Sequence, residues 1–216
     1  MVPVVTIAGI SGSGKTTLLE QVVRELTSRG FKVGTIKHDA HGFEIDREGK
    51  DSWRHSEAGA VSVVLTSPEK MALIKKGPEE WGPERIAAAY LGDVDVIVAE
   101  GFKDSNLPKI EVIRKAVSES PACVEDENLL AIVSDAGIKS ERPLYRLDDF
   151  KGIADLIEER IIKGADGRAT TLVVNGEPVT LKPFIENLIR DGVMGMIRSL
   201  KGCSDAHTIE LRIERK

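Results

Sequence analysis

Cysteine is scarce: only Cys123 and Cys203 occur among 216 residues, and they lie far apart. They make neither a disulfide framework nor a zinc-binding pattern, and they suit a reducing compartment as small buried groups. Long hydrophobic runs are missing as well. No uninterrupted apolar stretch is long enough to span a bilayer, and the N-terminal run lacks the basic start and cleavage pattern of a signal peptide, so a cytoplasmic chain with no membrane partner is expected. There is no excess of positive charge. The formal net charge of −5 leaves no general field for nucleic acid or an anionic membrane, so no nucleic-acid partner is expected. What remains, 41% hydrophobic and 30% charged residues, excludes disorder and fits one substantial α/β core with a small appendage.

The chain is organised around Gly9-Ile10-Ser11-Gly12-Ser13-Gly14-Lys15-Thr16, a complete G-x-x-x-x-G-K-[ST] phosphate-binding loop. Gly9, Gly12 and Gly14 let the backbone turn tightly and offer bare N–H groups to phosphate oxygens. Lys15 is a mobile point charge for the β- and γ-phosphates, and the Thr16 hydroxyl is a candidate magnesium ligand. Ser11, Ser13 and Thr17 belong to the same candidate binding set. The β-branched run Val2 to Ala8 predicts a buried parallel strand before the loop. A helix is predicted from about Thr16 to Ser28, with Leu18, Leu19, Val22, Val23 and Leu26 at helical spacing and Gly30 at its C-terminal end. Its positive dipole end meets the phosphates. With a second strand over Phe31 to Ile36, this is a right-handed βαβ unit.

Lys37 to Asp51 is polar and turn-rich, and its position near the phosphate end of a parallel sheet points to function. Asp46 and Asp51 are candidates to organise magnesium or the attacking water, and Lys37 or Lys50 to neutralise phosphate. Alternatively, Asp51 is the N-cap of the next helix. His38, His41 and His55 raise the question of a metal site. Without cysteines or a fixed helical spacing, they read as phosphate or partner contacts instead. A short helix over Asp51 to Ala58, a hairpin from Val61 to Leu65 and Met71 to Lys75, and a helix over Pro83 to Leu91 follow.

Val94 to Glu100 predicts a buried strand ending in an acid. A carboxylate there holds magnesium opposite Thr16, directly or through water, so Glu100 is the second metal candidate. Leu107 to Lys115 alternates charged and apolar residues, which predicts an exposed or partner-facing strand. Leu129 to Ser134 predicts a buried strand. Asp135 after it either accepts hydrogen bonds from guanine N1 and N2 or is an ordinary turn acid. The Asn/Thr-Lys-x-Asp base-reading motif is absent, so spacing shows no base preference. Asp148 is expected to cap a helix running to Ile162.

Residues 163–168 read as a boundary between a nucleotide-binding domain over 1–163 and a small α+β module over 169–216. The module predicts a hairpin about Asn175-Gly176, a helix over Pro183 to Leu200 and a half-exposed strand over Thr208 to Arg215. It carries no catalytic constellation and reads as a packing or oligomerisation appendage. The fold class expected is α/β: a mostly parallel twisted sheet of P-loop NTPase type, helices on both faces, and a small C-terminal ββαβ module.

Several separated motifs coincide in order: the loop through Thr17, Thr35-Ile36-Lys37-His38, Asp46 with Gly49-Lys50-Asp51-Ser52, Ala58-Gly59-Ala60, Glu100-Gly101-Phe102-Lys103 and Pro108-Lys109-Ile110-Glu111-Val112. Together they resemble the molybdopterin-guanine dinucleotide biosynthesis protein B family, from the start to about Ile162. The resemblance implies a homodimeric GTP-binding adaptor with weak magnesium-dependent GTPase activity. It would assist the guanylyltransferase that attaches GMP to molybdopterin. Lys15 and Thr16 would hold phosphates and Mg2+, Asp46 would lie in a switch-like loop, and Glu100 would be the Walker-B-type acid. The alternative is a small-molecule kinase using ATP, but no compact Arg-rich lid stands out for it.

Overall fold

The computed structural model describes residues 2–39, 42–77, 80–118, 120–123, 125–164, 170–179, 181–206, 209, 211 and 213. In chain order the elements are β1 (Val4–Ala8), α1 (Lys15–Ser28), β2 (Val33–Lys37), α2 (Asp51–Glu57), β3 (Ser62–Thr66), β4 (Met71–Lys75), α3 (Pro83–Tyr90), β5 (Val96–Glu100), β6 (Lys109–Ile113), β7 (Leu129–Ser134), β8 (Leu144–Tyr145) and α4 (Phe150–Ile157). A π-type turn over Glu158–Ile162 extends α4, and β9 (Leu172–Val174), β10 (Glu177–Val179) and α5 (Pro183–Arg198) follow.

Branched side chains stiffen the short strands, and crossover helices force them parallel and cover both faces. The main sheet has six strands in the order β2-β5-β1-β6-β7-β8, every pair parallel. Because β1 sits between β5 and β6, the chain changes direction across the sheet at β1. In open parallel sheets the crevice at such a switch point, beyond the carboxyl ends of the strands, is where ligands bind.

Alternate residues of β1 face opposite ways. Val5 and Ile7 pack with Leu18, Val22 and Leu26 of α1 and Ile153, Ala154 and Ile157 of α4. Val4 packs on the other face with Ile36, Ile97, Ala99 and Ala87 of α3. Ala8 joins Ile113, Leu129, Ile132 and Cys123 in a third cluster. Arg29, the C-cap residue of α1, pairs with Glu25 of the same helix at 2.9 Å and ties α1 to α4 and its π-type extension through Asp155 at 2.7 Å and Glu158 at 3.0 Å. Gly30 then reverses the chain at φ +95°, a conformation that disfavours any Cβ.

The strand expected to show an exposed charged face is buried instead: all five residues of β6 are inaccessible. Its place between β1 and β7 leaves neither edge nor face free, and each charge meets its own partners. Lys109, fully buried, donates to the carbonyls of Lys103 at 3.0 Å and Ser105 at 2.7 Å, and pairs with the Asp126 carboxylate. Glu111 accepts from the N–H groups of Ala122 at 2.6 Å and Cys123 at 3.1 Å. That hydrogen bond from Lys109 holds the Asp126 carboxyl below the usual carboxylate range. Burial, helped by Glu111, pushes the Cys123 thiol up to about 11.

Smaller departures concern caps and the C-terminal segment. Lys50 is the N-cap residue of α2, with Asp51 in its first turn. Asp149 caps α4 by accepting from the Gly152 N–H at 3.0 Å, while Asp148 pairs with Arg146 at 3.0 Å. β9 and β10 form the predicted hairpin, with Asn175 at φ +54° and Gly176 at φ +87°. Glu177 on it reaches Arg85 of α3 at 3.0 Å. The strand expected over Thr208 to Arg215 falls largely outside the described residues. None of the described helices is long and apolar enough to cross a membrane.

Removing one partner of a buried pair leaves an uncompensated charge, whereas replacing both with apolar groups does not. Asp126→Ala is therefore expected to lower unfolding free energy by about 3 kcal/mol in a urea titration, and the Lys109→Met, Asp126→Leu double variant by less. The Asp126 contribution is fully present above the unfolded carboxylate pKa of about 3.9 and is lost as pH falls through its lower folded value. The wild type should thus lose more stability than the double variant on acidification below that pH.

Candidate nucleotide-binding site

The loop between β1 and α1 holds Gly9 at φ +137°, Gly12 at φ +77° and Gly14 at φ +98°. These are conformations that L side chains rarely adopt. A Cβ on Gly9 would come within 2.4 Å of the Val112 carbonyl and 2.9 Å of Ser13 Oγ, so this glycine is required by close approach as well. Gly14 is the N-cap of α1 and no side chain caps it, which leaves the first-turn N–H groups directed at the loop. Ser13 is fully buried, and its hydroxyl has no hydrogen-bond partner among the described residues.

The Lys15 ammonium arcs back and donates to the Ile10 carbonyl at 2.8 Å, so it lies over its own loop. Its pKa is lowered, first by burial; Glu100 opposes the shift and Lys37 adds to it. Lys15, Glu100 and Lys37 therefore share one electrostatic neighbourhood. The register explains it: Ile7, two residues before the loop, pairs with Glu100, and Lys37 pairs with Glu100 from the other side.

Thr16 is brought to the same carboxylate. Its Oγ1 lies 2.9 Å from Glu100 Oε1 and 3.0 Å from Oε2, and the hydroxyl donates to Glu100, which is only 9% exposed. A hydroxyl beside a buried carboxylate is a hard-oxygen donor set of the kind magnesium prefers. Among the described residues no cluster of three or more His, Cys, Asp or Glu side chains could hold a metal ion by itself. That suits magnesium, which takes few protein ligands and completes its shell with phosphate oxygens and water. Residues Thr16 and Glu100 thus fit the ion.

The strand end carrying Glu100 is held tightly. Its carbonyl accepts the His38 N–H at 3.0 Å, and the Gly101 N–H donates to Ile7 at 3.1 Å. Gly101 turns at φ +98°, and Phe102 follows at φ +50°, a left-handed conformation uncommon outside glycine. Lys109, from beneath, fixes the carbonyls of Lys103 and Ser105 in the loop that follows.

The remaining candidates lie elsewhere. Asp46 Oδ1 accepts from Ser52 Oγ at 2.8 Å and from the Arg47 N–H at 3.0 Å, and its buried Oδ2 has no hydrogen-bond partner among the described residues. Among the described residues no hydrogen bond joins Asp46 to Thr16 or Glu100. Asp46 lines a cleft of about 1090 Å³ with Lys37, His38, Trp53, Trp81 and Phe102. Asp135 Oδ1 accepts the Lys115 N–H at 2.7 Å, so one of its oxygens is used by the backbone. Ser11 and Thr17 are exposed on the loop and the first turn of α1. His38 pairs with Glu80 and its ring lies 4.9 Å from Phe102; His55 is exposed on α2; His41 lies outside the described residues.

Two features were not visible in the sequence. Trp81 stacks on Tyr90 at 5.8 Å, with the Lys75 ammonium 4.6 Å and the Arg85 guanidinium 4.2 Å from the Trp81 ring. Arg114 stands beside Gly14, a neighbour 100 residues away in the chain that only strand order brings close. A local pattern carries no signal for either.

Comparison with known proteins gives the same picture. The family model described as Molybdopterin guanine dinucleotide synthesis protein B matches residues 4–135. A Haemophilus influenzae protein named molybdopterin-guanine dinucleotide biosynthesis adapter protein is 37% identical over 158 residues, covering 73% of this chain and 88% of its own. A crystal structure of a molybdopterin-guanine biosynthesis protein B, 31% identical, superposes with a TM-score of 0.59 over 72% of this chain and 98% of its own. A Methanocaldococcus jannaschii relative, 23% identical, aligns over 98% of this chain and 97% of its own, the C-terminal segment included. This chain therefore belongs to the molybdopterin guanine dinucleotide synthesis protein B family.

Proposed function

We propose that the protein is a GTP-binding adaptor of molybdopterin guanine dinucleotide synthesis that hydrolyses GTP slowly in the presence of Mg2+. Family membership supports the adaptor role, and the observation that carries the nucleotide reading is the Thr16 hydroxyl held against both oxygens of Glu100 at the mouth of a complete phosphate loop.

In this reading the loop N–H groups from Gly9 to Thr17 and the positive end of α1 bind the phosphates, joined by Lys15. Thr16 and Glu100 would hold magnesium, which would neutralise negative charge developing on the phosphates during transfer. Asp46, not hydrogen-bonded to Thr16 or Glu100 among the described residues and with its Oδ2 buried, would have to be carried in by its switch-like loop to orient the water that attacks the γ-phosphorus. As the water oxygen bonds to the γ-phosphorus, the bond from that phosphorus to the β–γ bridging oxygen breaks, giving GDP and inorganic phosphate, and the proton lost by the water passes to a phosphate oxygen or to solvent. With Asp46 held by Ser52 of α2, the water is oriented without a tightly placed base, and turnover is expected to be slow. Asp135, whose second oxygen is not engaged by Lys115, is the candidate reader of guanine.

The partners in this reading are the guanylyltransferase, molybdopterin and a second copy of the chain, all in the cytoplasm. The homodimer is supported by the β3–β4 hairpin, which leaves Val64 57% and Met71 71% exposed. Residues 1–163 form the nucleotide domain and 169–216 an appended module anchored through Glu177 and Arg85.

Calorimetry with GTP and ATP side by side, with and without Mg2+, tests this reading. Tighter, magnesium-dependent binding of GTP is expected; a preference for ATP would overturn the GTP assignment and favour a kinase. Lys15→Ala should weaken GTP binding about 10- to 100-fold, the range for a charge-assisted contact of roughly 1.5–3 kcal/mol. Glu100→Gln should remove most of the magnesium dependence while leaving metal-free binding near wild type. Normal affinity in the Lys15 variant would mean that the phosphates are held elsewhere.

A further inference from the structure

We infer that Arg114 is a further phosphate-binding residue, a guanidinium supplied in cis by the end of β6 to the triphosphate held in the loop. The inference rests on the nucleotide reading above and adds a residue to it.

Strand order puts it there. β6 pairs with β1, with Ala8 opposite Glu111, so both strands deliver their carboxyl ends to the same edge. The end of β6 already presses on the loop, since the Val112 carbonyl is the atom that excludes a Cβ from Gly9. Arg114 is the first residue beyond β6. A Cβ built on Gly14 would sit 3.6 Å from its Nη2 and 3.8 Å from its Cζ, so the guanidinium borders the last glycine of the loop. Gly9 and Gly14, the two ends of the phosphate cradle, thus both meet the same strand end.

The backbone under Arg114 is fixed on both sides. Its carbonyl accepts the N–H groups of Val117 at 2.8 Å and Ser118 at 3.0 Å, and the next N–H, of Lys115, donates to Asp135 at 2.7 Å. The side chain itself is exposed, and among the described residues no carboxylate or carbonyl pairs with it. A cation beside the N-terminus of α1 opposes the helix dipole, so this placement does not stabilise the fold. It adds instead a second cation, beside Lys15, to the glycines of the phosphate loop, positive charge that an oligophosphate would satisfy. A guanidinium suits that task because its planar fork can hold two phosphate oxygens at once, with its charge retained at any physiological pH.

The test uses the full-length protein and Arg114→Ala, Arg114→Gln and Arg114→Lys, titrated with GTP, GDP and guanosine in Mg2+, with thermal melts of the nucleotide-free proteins. Arg114→Ala and Arg114→Gln should bind GTP at least about tenfold more weakly. Arg114→Lys should recover part of that loss, and guanosine, which has no phosphate, should be unaffected. Melting temperatures without nucleotide should stay at the wild-type value, which a structural role would not allow. Arg24→Ala, removing an exposed arginine of α1 paired with Glu20, is the charge control and should leave GTP affinity unchanged. If the Arg114 variants bind GTP within twofold of wild type while Lys15→Ala does not, the inference is wrong and the loop assignment stands. Failure of the wild type to bind any triphosphate overturns both.

Discussion

The parallel pairing of β1 with β5 on one side and β6 on the other is the constraint on which the site depends. Glu100 closes β5 opposite Ile7, and the loop begins two residues later at Gly9, so the carboxylate and the Thr16 hydroxyl meet without either needing to reach. A one-residue slip of β5 would turn Glu100 to the opposite face of the sheet and put Ala99 in its place. Burial of every residue of β1 and β5 makes such a slip costly, because it would exchange Val96 and Val98 for Ile97 and Ala99 against α1. The core thus fixes the distance between two polar groups that contribute little to holding it together.

The buried charges of β6 act on a different length scale. The partners of Lys109 and Glu111 are main-chain groups of the segments 103–105 and 122–123, together with the Asp126 carboxylate that pairs with Lys109. Buried ion pairs are weak evidence for stability, since desolvation offsets much of the attraction. What they supply here is direction: two loops that would otherwise be free at the sheet's edge are tied to a strand that cannot move. The first of those loops begins at Gly101 and Phe102, both in left-handed conformations, so the strain of the turn after Glu100 is held in place by Lys109 from below.

Much of this was legible in the sequence, and the remainder was hidden for definite reasons. The loop, α1 and the Glu100 strand could be read because their chemistry is local: three glycines, a lysine and a threonine at fixed spacing, and an acid ending an apolar run. The charged strand was misread because alternation reports on faces only when one face is solvated, and β6 has neighbours on both sides with main-chain partners for each charge. Arg114 could not be found because its relation to Gly14 is set by strand order, which no window of local sequence contains. Asp46 is the intermediate case. Its loop was recognised as functional, yet the sequence could not say that Ser52 would hold one of its oxygens and leave the other bare.

The same geometry bears on what an adaptor of this kind can do. Lys37 and His38 line the cleft that also contains Asp46, Trp53 and Trp81, and they are also the residues that adjoin Glu100 across the sheet. One hydrogen bond, from the His38 N–H to the Glu100 carbonyl, joins the wall of that cleft to the strand end carrying Glu100. A ligand shifts a conformational equilibrium only through contacts that differ between the two states. His38 in turn pairs with Glu80 and packs on Phe102. Any coupling between the proposed nucleotide and the cleft would therefore run through this one strand end.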